Sequence, residues 1–157
     1  MAEEFVLEKF DSGMHYIMLN EKTVLPLTVN ENKRAICKLN NLTEFHCAIM
    51  PKKEGGHFIN IGLTICKKMN LKVGSKVNAT FKIDNTEYQF EMPEELREVL
   101  DTDEIANEIF HKLTEGNQRG LIYLVSQVKS SDKKIERALK IVEKIKLGIT
   151  SPRTILK

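Results

Sequence analysis

Apolar and polar residues alternate along most of the first half of the chain. A period of two is typical of β-strands that bury one face. One stretch, 64–70, breaks the alternation, because its apolar residues fit a short helix better. The alternating runs lie at 14–19, 34–39, 44–50, 57–61, 76–83 and 88–92. The pattern therefore predicts about six short strands and one short helix.

Turn residues indicate how some of these strands connect. Asn40-Asn41 separates two alternating runs, and Asp84-Asn85 separates two more, so each pair is predicted to form a hairpin. Short strands with open edges would expose unpaired backbone groups. Closure into a small N-terminal β-barrel is the arrangement that we expect.

The period changes to that of a helix at Met92-Pro93. Beyond this point apolar residues recur every three or four positions in stripes interrupted at 101–103, 116–117 and 130–132. The pattern predicts a bundle of three to four helices, with residues 149–157 loosely ordered. The predicted fold class is thus α+β, with a barrel domain over residues 1–92 and a helical region over residues 93–157.

Composition and charge add one feature to this picture. Of the 157 residues, 41% are hydrophobic and 29% charged, which is typical of a globular protein. The formal net charge is only +2. It is unevenly distributed, because residues 93–115 hold eight acidic and two basic residues whereas 129–157 hold three acidic and nine basic ones. The two segments attract each other or simply face water, or else the basic one meets an anionic partner.

The three cysteines, Cys37, Cys47 and Cys66, are widely spaced in apolar surroundings. Such spacing fits neither a disulfide framework nor a zinc knuckle, so we expect buried free thiols in a reducing compartment. The acidic N-terminus does not resemble a signal peptide, and the apolar runs are shorter than a membrane span. We therefore expect a cytoplasmic protein without a membrane span.

The sequence contains no phosphate-binding glycine loop, metalloprotease motif or nucleophile elbow. The residue pattern therefore predicts no catalytic residue, no metal site and no cofactor. A ligand site is still conceivable at the barrel mouth, where predicted strands carry His15, His46 and His57. On a predicted helix, Arg119 and Tyr123 are four residues apart and share a face that would dock either a ligand or the barrel.

The last predicted helix carries a row of basic residues. Lys133, Arg137 and Lys140 share a face, and Lys144 lies on its next turn. Such a ridge is suited to contact phosphates of a nucleic acid or another anionic surface. No aromatic residue lies between them for base stacking.

Three stretches of this sequence resemble the YdeI/OmpD-associated family, also called bacteriocin-protection proteins. The stretch from Gly55-Gly56-His57 to Val77 is similar to the centre of that family's N-terminal domain of unknown function. Met92-Pro93-Glu94-Glu95-Leu96 is similar to its joint. The stretch from Phe110-His111-Lys112-Leu113 to Leu147-Gly148 is similar to its C-terminal region.

The resemblance implies a small β-barrel followed by helices, and it supplies no agreed catalytic residues. The family name implies a link to bacterial stress or antimicrobial-peptide resistance. Our first hypothesis is accordingly an uncharacterised non-enzymatic binding or accessory protein, with a protein as a conceivable partner. The alternatives are a nucleic-acid or anionic-surface binder that uses the last helix, and a small-molecule binder or enzyme that uses the barrel mouth.

Overall fold

A computed structural model describes residues 2–157 of the chain. These residues form two compact units, the first ending at Asn85 and the second covering Thr86–Lys157. The first unit is built mainly of strands and the second is helical, so the chain is a mixed α+β protein.

The first unit contains eight strands and two helices. The strands are β1 (Glu3–Val6), β2 (Glu8–Lys9), β3 (His15–Leu19), β4 (Arg34–Leu39), β5 (Thr43–Ala48), β6 (Met50–Pro51), β7 (His57–Ile61) and β8 (Lys76–Ile83). They form two four-stranded sheets in the orders β1-β8-β4-β5 and β2-β3-β7-β6. Every pairing is antiparallel.

The alternation in the sequence matches the faces of these sheets. In β4, for example, Ala35, Cys37 and Leu39 are buried, and the residues between them are half-buried. The predicted Asn40-Asn41 hairpin is confirmed, since β4 pairs with β5 and both asparagines have positive φ angles, 49° and 54°. A turn of this handedness matches the twist of the flanking strands.

The prediction of a closed β-barrel is wrong. In residues 2–157, the edge strands β1 and β5 bend at Leu7 and Ile49 and continue as β2 and β6 of the other sheet. At these bends, carbonyl groups of loop residues, rather than of a neighbouring strand, accept the hydrogen bonds of the backbone amides. The amide of Leu7 donates to the Ser75 carbonyl at 2.9 Å, and that of Ile49 donates to the Lys33 carbonyl at 2.8 Å. The bends therefore protect the edges of the sheets without closing a barrel. Buried side chains from both sheets form one core.

The helices of the first unit are α1 (Glu21–Leu27) and α2 (Leu63–Lys68). The second is the short helix that the sequence predicts within 64–70. The first was not predicted, although the side chain of Asn20 accepts from the Thr23 amide at 2.8 Å and caps it. The Pro26 inside α1 obscures its helical pattern.

The second unit contains four helices, within the predicted range of three to four. They are α3 (Glu94–Thr102), α4 (Glu104–Lys112), α5 (Glu115–Ser126) and α6 (Ser131–Lys146). Polar residues at two of the predicted interruptions cap helices, since the side chains of Asp103 and Ser130 accept from backbone amides at the starts of α4 and α6. The predicted interruption at 116–117 is wrong, because these residues lie inside α5, which is capped by the side chain of Thr114. No helix within residues 2–157 has the length and apolar character needed to cross a membrane.

Two predictions for the segments that flank these helices are wrong. Residues 88–92 do not pair with β8, whose neighbours are β1 and β4. Instead Tyr88 is buried in the helical core. The C-terminal tail is ordered, because Ile155 is fully buried in the same core and Pro152 packs against Gly120.

Candidate functional site

A polar cleft of about 210 Å³ lies in the helical unit, beside α3, α4 and the segment that precedes α3. Its lining combines acidic, basic and hydrogen-bonding side chains with a small apolar portion. The lining residues are Glu87, Tyr88, Met92, Arg97, Leu100, Asp101, Asn107 and His111. Ligand sites are concave and contain a few placed polar groups, so this cleft is the candidate functional site.

The helix α4 fixes the imidazole of His111 in this cleft. Its Nδ1 lies 2.8 Å from the carbonyl oxygen of Asn107, one turn earlier. Because a carbonyl can only accept a hydrogen bond, Nδ1 carries the proton. In the neutral ring Nε2 is then an acceptor, and the Tyr88 hydroxyl lies 2.8 Å from it as the donor.

The phenol of Tyr88 is held by the core beneath it. The residue is 8% exposed, and its ring packs at an edge-to-face angle on Phe110, with centroids 6.2 Å apart. Burial raises the pKa of Tyr88 to about 12, and Glu87 acts in the same direction while Arg97 opposes it. The hydroxyl therefore keeps its proton at neutral pH and serves as a hydrogen-bond donor.

Opposite charges meet at the mouth of the cleft. The guanidinium of Arg97 lies 5.9 Å from the centroid of the Tyr88 ring, and Asp101 follows one turn later on α3. On the other side, Glu87 Oε2 lies 3.9 Å from Nε2 of His111. Within residues 2–157 neither Arg97 nor Asp101 forms a salt bridge or a side-chain hydrogen bond, so both charges are available to a ligand.

The three histidines of the predicted barrel-mouth site lie apart. His15 and His57 lie at the two far ends of the paired strands β3 and β7. His15 pairs with Ile61, and His57 pairs with Leu19. The two positions are four residue steps apart along the strands, about 13 Å at the usual rise. His46 lies on β5, in the other sheet. The described residues contain no group of three or more His, Cys, Asp or Glu side chains arranged to hold a metal ion.

His46 instead forms a buried pair. Its Nδ1 lies 2.5 Å from Oδ2 of Asp84, a carboxylate in a residue only 1% exposed. A buried carboxylate needs such partners to offset its desolvation. The neighbouring Cys47 points to the core, where burial raises the pKa of its thiol to about 12. This pair therefore has a structural role in the strand-built unit.

The two predicted residues on α5 share a face and contact the segment before α3. Arg119 Nη1 lies 3.2 Å from Oε1 of Gln89. The ring of Tyr123, which is 52% exposed, meets that of Phe90 at 84° with centroids 6.4 Å apart. Both side chains thus hold the segment on α5, outside the lining of the cleft.

The residues of the predicted basic ridge on α6 have different roles. Arg137 Nη1 donates to the carbonyl oxygen of Leu124 at 2.8 Å and to Oε1 of Gln127 at 3.0 Å, and so caps the end of α5. Lys133 and Lys140 are exposed and Lys144 is half-buried. Among residues 2–157 these three lysines have no ion-pair partner, so they remain available to anions.

A larger concavity, about 380 Å³, lies on the strand-built unit next to the Asn40-Asn41 turn. Of the three asparagines in its lining, Asn40 is engaged, since its Oδ1 accepts from the backbone amide of Asn78 at 2.8 Å. Lys38 is the one charged side chain of this lining, so the concavity offers fewer charged groups than the cleft of the helical unit and is the weaker candidate.

Sequence reasoning missed the cleft because it assigned Tyr88 to a strand and placed no ligand site at His111. Two signals could have identified the site. Arg97 and Asp101 are four residues apart on one predicted helix, as are Asn107 and His111 on the next, so each pair shares a face.

The chain was compared with protein families, curated proteins and solved structures. A family model described as "Bacteriocin-protection, YdeI or OmpD-Associated" matches residues 89–148. No curated protein and no solved structure gives a significant match. The matched residues include Arg97, Asp101, Asn107 and His111 of the cleft. Residues 89–148, in the helical unit, are therefore the part of this chain that is similar to the YdeI/OmpD-associated, bacteriocin-protection family.

Proposed function

We propose that this chain is a non-enzymatic accessory protein that binds a small ligand in the cleft of its helical unit. One observation carries the proposal: Arg97 and Asp101, both in the family-matched region, line the cleft and have no ion-pair partner among residues 2–157. Unpaired opposite charges at a cleft are suited to orient a polar ligand.

The hydrogen bonds of the cleft favour binding over turnover. A general acid or base must exchange its proton with the substrate. Here Nδ1 of His111 is committed to a backbone carbonyl, and Nε2 to the Tyr88 hydroxyl. With its pKa raised to about 12, Tyr88 is a poor base at neutral pH. These groups thus fix the floor of the cleft and are poorly placed to transfer protons of a ligand.

We further propose a role in bacterial stress or antimicrobial-peptide resistance, exerted in the cytoplasm. The family description supports the first part. The three buried free thiols support a reducing compartment. Survival of a bacterial host exposed to polymyxin B tests the role. We expect the full chain to increase survival relative to an empty vector.

A cleft variant connects that survival to the site. Arg97→Gln with Asp101→Asn removes both charges of the cleft without a change in net charge. Glu136→Gln with Lys129→Gln, both at exposed positions of the helical unit outside the cleft, is the charge-matched control. We expect the cleft variant to lose protection and the control to retain it. Equal survival of the wild-type chain and the cleft variant would contradict the proposed function.

A second candidate function is binding to an anionic surface through α6. The observation in its favour is that Lys133, Lys140 and Lys144 share a face and lack ion-pair partners in the described part of the chain. Contacts of lysines with phosphates release counterions, so affinity for duplex DNA would fall steeply with salt.

A matched triple substitution tests this candidate. Replacing the three lysines of α6 with Gln should abolish a low-salt gel shift of duplex DNA. Replacing the exposed Lys53, Lys67 and Lys68 of the other unit removes the same charge and should preserve the shift. Absence of any shift by the wild-type chain at low salt would exclude the candidate.

A further inference from the structure

We propose that the ligand of the cleft is a free amino acid. This inference rests on the proposed function, because it names the ligand class for the same site. It follows from the charged groups in the lining of the cleft, which are one guanidinium and two carboxylates.

The spacing of the two charges on α3 fits a zwitterion. Arg97 and Asp101 are four residues apart, which places their Cβ atoms about 5–6 Å from each other on one helix face. The carboxylate and ammonium of an amino acid are attached to the same carbon. One molecule can therefore place its carboxylate at Arg97 while its ammonium faces Asp101.

The balance of charge disfavours ligands that carry only one charge. A simple carboxylate would meet Arg97 but would also face Asp101 and Glu87. A simple amine would gain both carboxylates but would leave the guanidinium beside it without a partner. A zwitterion alone engages both signs at once, and each contact is a charge-assisted hydrogen bond.

The volume of the cleft limits the size of the ligand. At about 210 Å³ the cleft is smaller than the roughly 300–1,000 Å³ typical of sites for drug-sized ligands. A single amino acid suits this volume. Leu100 and Tyr88 are only 2% and 8% exposed, so the charged groups of the lining, rather than apolar surface, would carry the recognition.

Three matched probes separate these possibilities: L-leucine carries both charges, 3-methylbutylamine carries only the ammonium, and 4-methylpentanoate carries only the carboxylate. Their affinities are measured by NMR titration of the ¹⁵N-labelled full chain. We expect L-leucine to bind, with each of the other probes at least about tenfold weaker. Equal binding of the amine and L-leucine would overturn the inference in favour of a plain cation site.

Two single substitutions test the assignment of each contact. Arg97→Gln should remove the advantage of L-leucine over the amine, because the partner of the carboxylate is lost. Asp101→Asn should weaken the binding of both L-leucine and the amine, because the partner of the ammonium is lost. Unchanged preferences in both variants, or no binding of L-leucine to the wild-type chain, would overturn the inference. The proposed function would then still be decided by the survival assay, so the two failures are distinguishable.

Discussion

The hydroxyl of Tyr88 and Nε2 of His111 lie 2.8 Å apart in the cleft of the helical unit. The Asn107 carbonyl oxygen lies 2.8 Å from the other ring nitrogen of His111. Together these contacts fix both the tautomer of the imidazole and the direction of the Tyr88 hydroxyl. The segment before α3 is thereby joined to α4 at the floor of the cleft.

Stability at alkaline pH should depend on Tyr88. Burial, the largest cause, raises its pKa in the folded chain to about 12, against about 10 when unfolded. A raised pKa stabilises the folded state fully below pH 10, and this contribution is lost as pH rises from about 10 through about 12. Urea unfolding followed by circular dichroism should show this loss. Tyr88→Phe should reduce the dependence of the unfolding free energy on alkaline pH. An unaltered pH profile in that variant would contradict the assignment of this loss to Tyr88.

The packing of the C-terminal tail against α5 should depend on the absence of a side chain at Gly120. A Cβ atom there would lie 2.5 Å from Cγ of Pro152 and 2.8 Å from its Cβ. Gly120→Ala should therefore destabilise the helical unit by about 1–3 kcal/mol, as overpacking does. Gly116→Ala, on the same helix, meets no atom within 4 Å and should instead be neutral or slightly stabilising. Denaturant unfolding of both variants checks this, and similar effects would show that the tail does not pack there.

The strand-built unit should depend on the pair formed by His46 and Asp84. His46→Ala removes a hydrogen bond from a carboxylate that is almost fully buried, and we expect a loss of about 1–3 kcal/mol in unfolding free energy. His57→Ala, at a half-buried histidine on β7, is the control and should have a clearly smaller effect. Equal effects of the two substitutions in urea unfolding would refute the structural role of the pair.

The three thiols should be unreactive in the folded chain. Burial raises the pKa of Cys37, Cys47 and Cys66, that of Cys47 to about 12, so little thiolate forms at pH 8. Ellman's reagent should label none of them until denaturant is added. Leu147→Cys places a thiol at a position 74% exposed and should react at once, as a positive control. Rapid labelling of the native wild-type chain would contradict the burial of the thiols.

Local patterns explain what could be predicted from the sequence. The Asn40-Asn41 hairpin depends only on adjacent residues, and the caps Asp103 and Ser130 act within one turn of their helices. The stripes of α3 to α6 likewise specify helices, because each buried face repeats with the helical period. These features are therefore visible without knowledge of the tertiary fold.

Long-range pairing explains what could not be predicted. The pattern at Tyr88, Phe90 and Met92 alternates like a strand, but β8 already pairs with β1 and β4, which are distant in sequence. The burial of Ile155 likewise depends on the space left by the other helices. The cleft was missed for the same reason, since Tyr88 meets His111 across 23 residues.

The central claim is that the helical unit carries the binding site. The amide shifts of the ¹⁵N-labelled full chain on addition of L-leucine test it most directly. We predict that the shifts cluster at residues 87–111, around Tyr88, Arg97, Asp101 and His111. Shifts confined to the strand-built unit, or spread evenly over the whole chain, would contradict the claim.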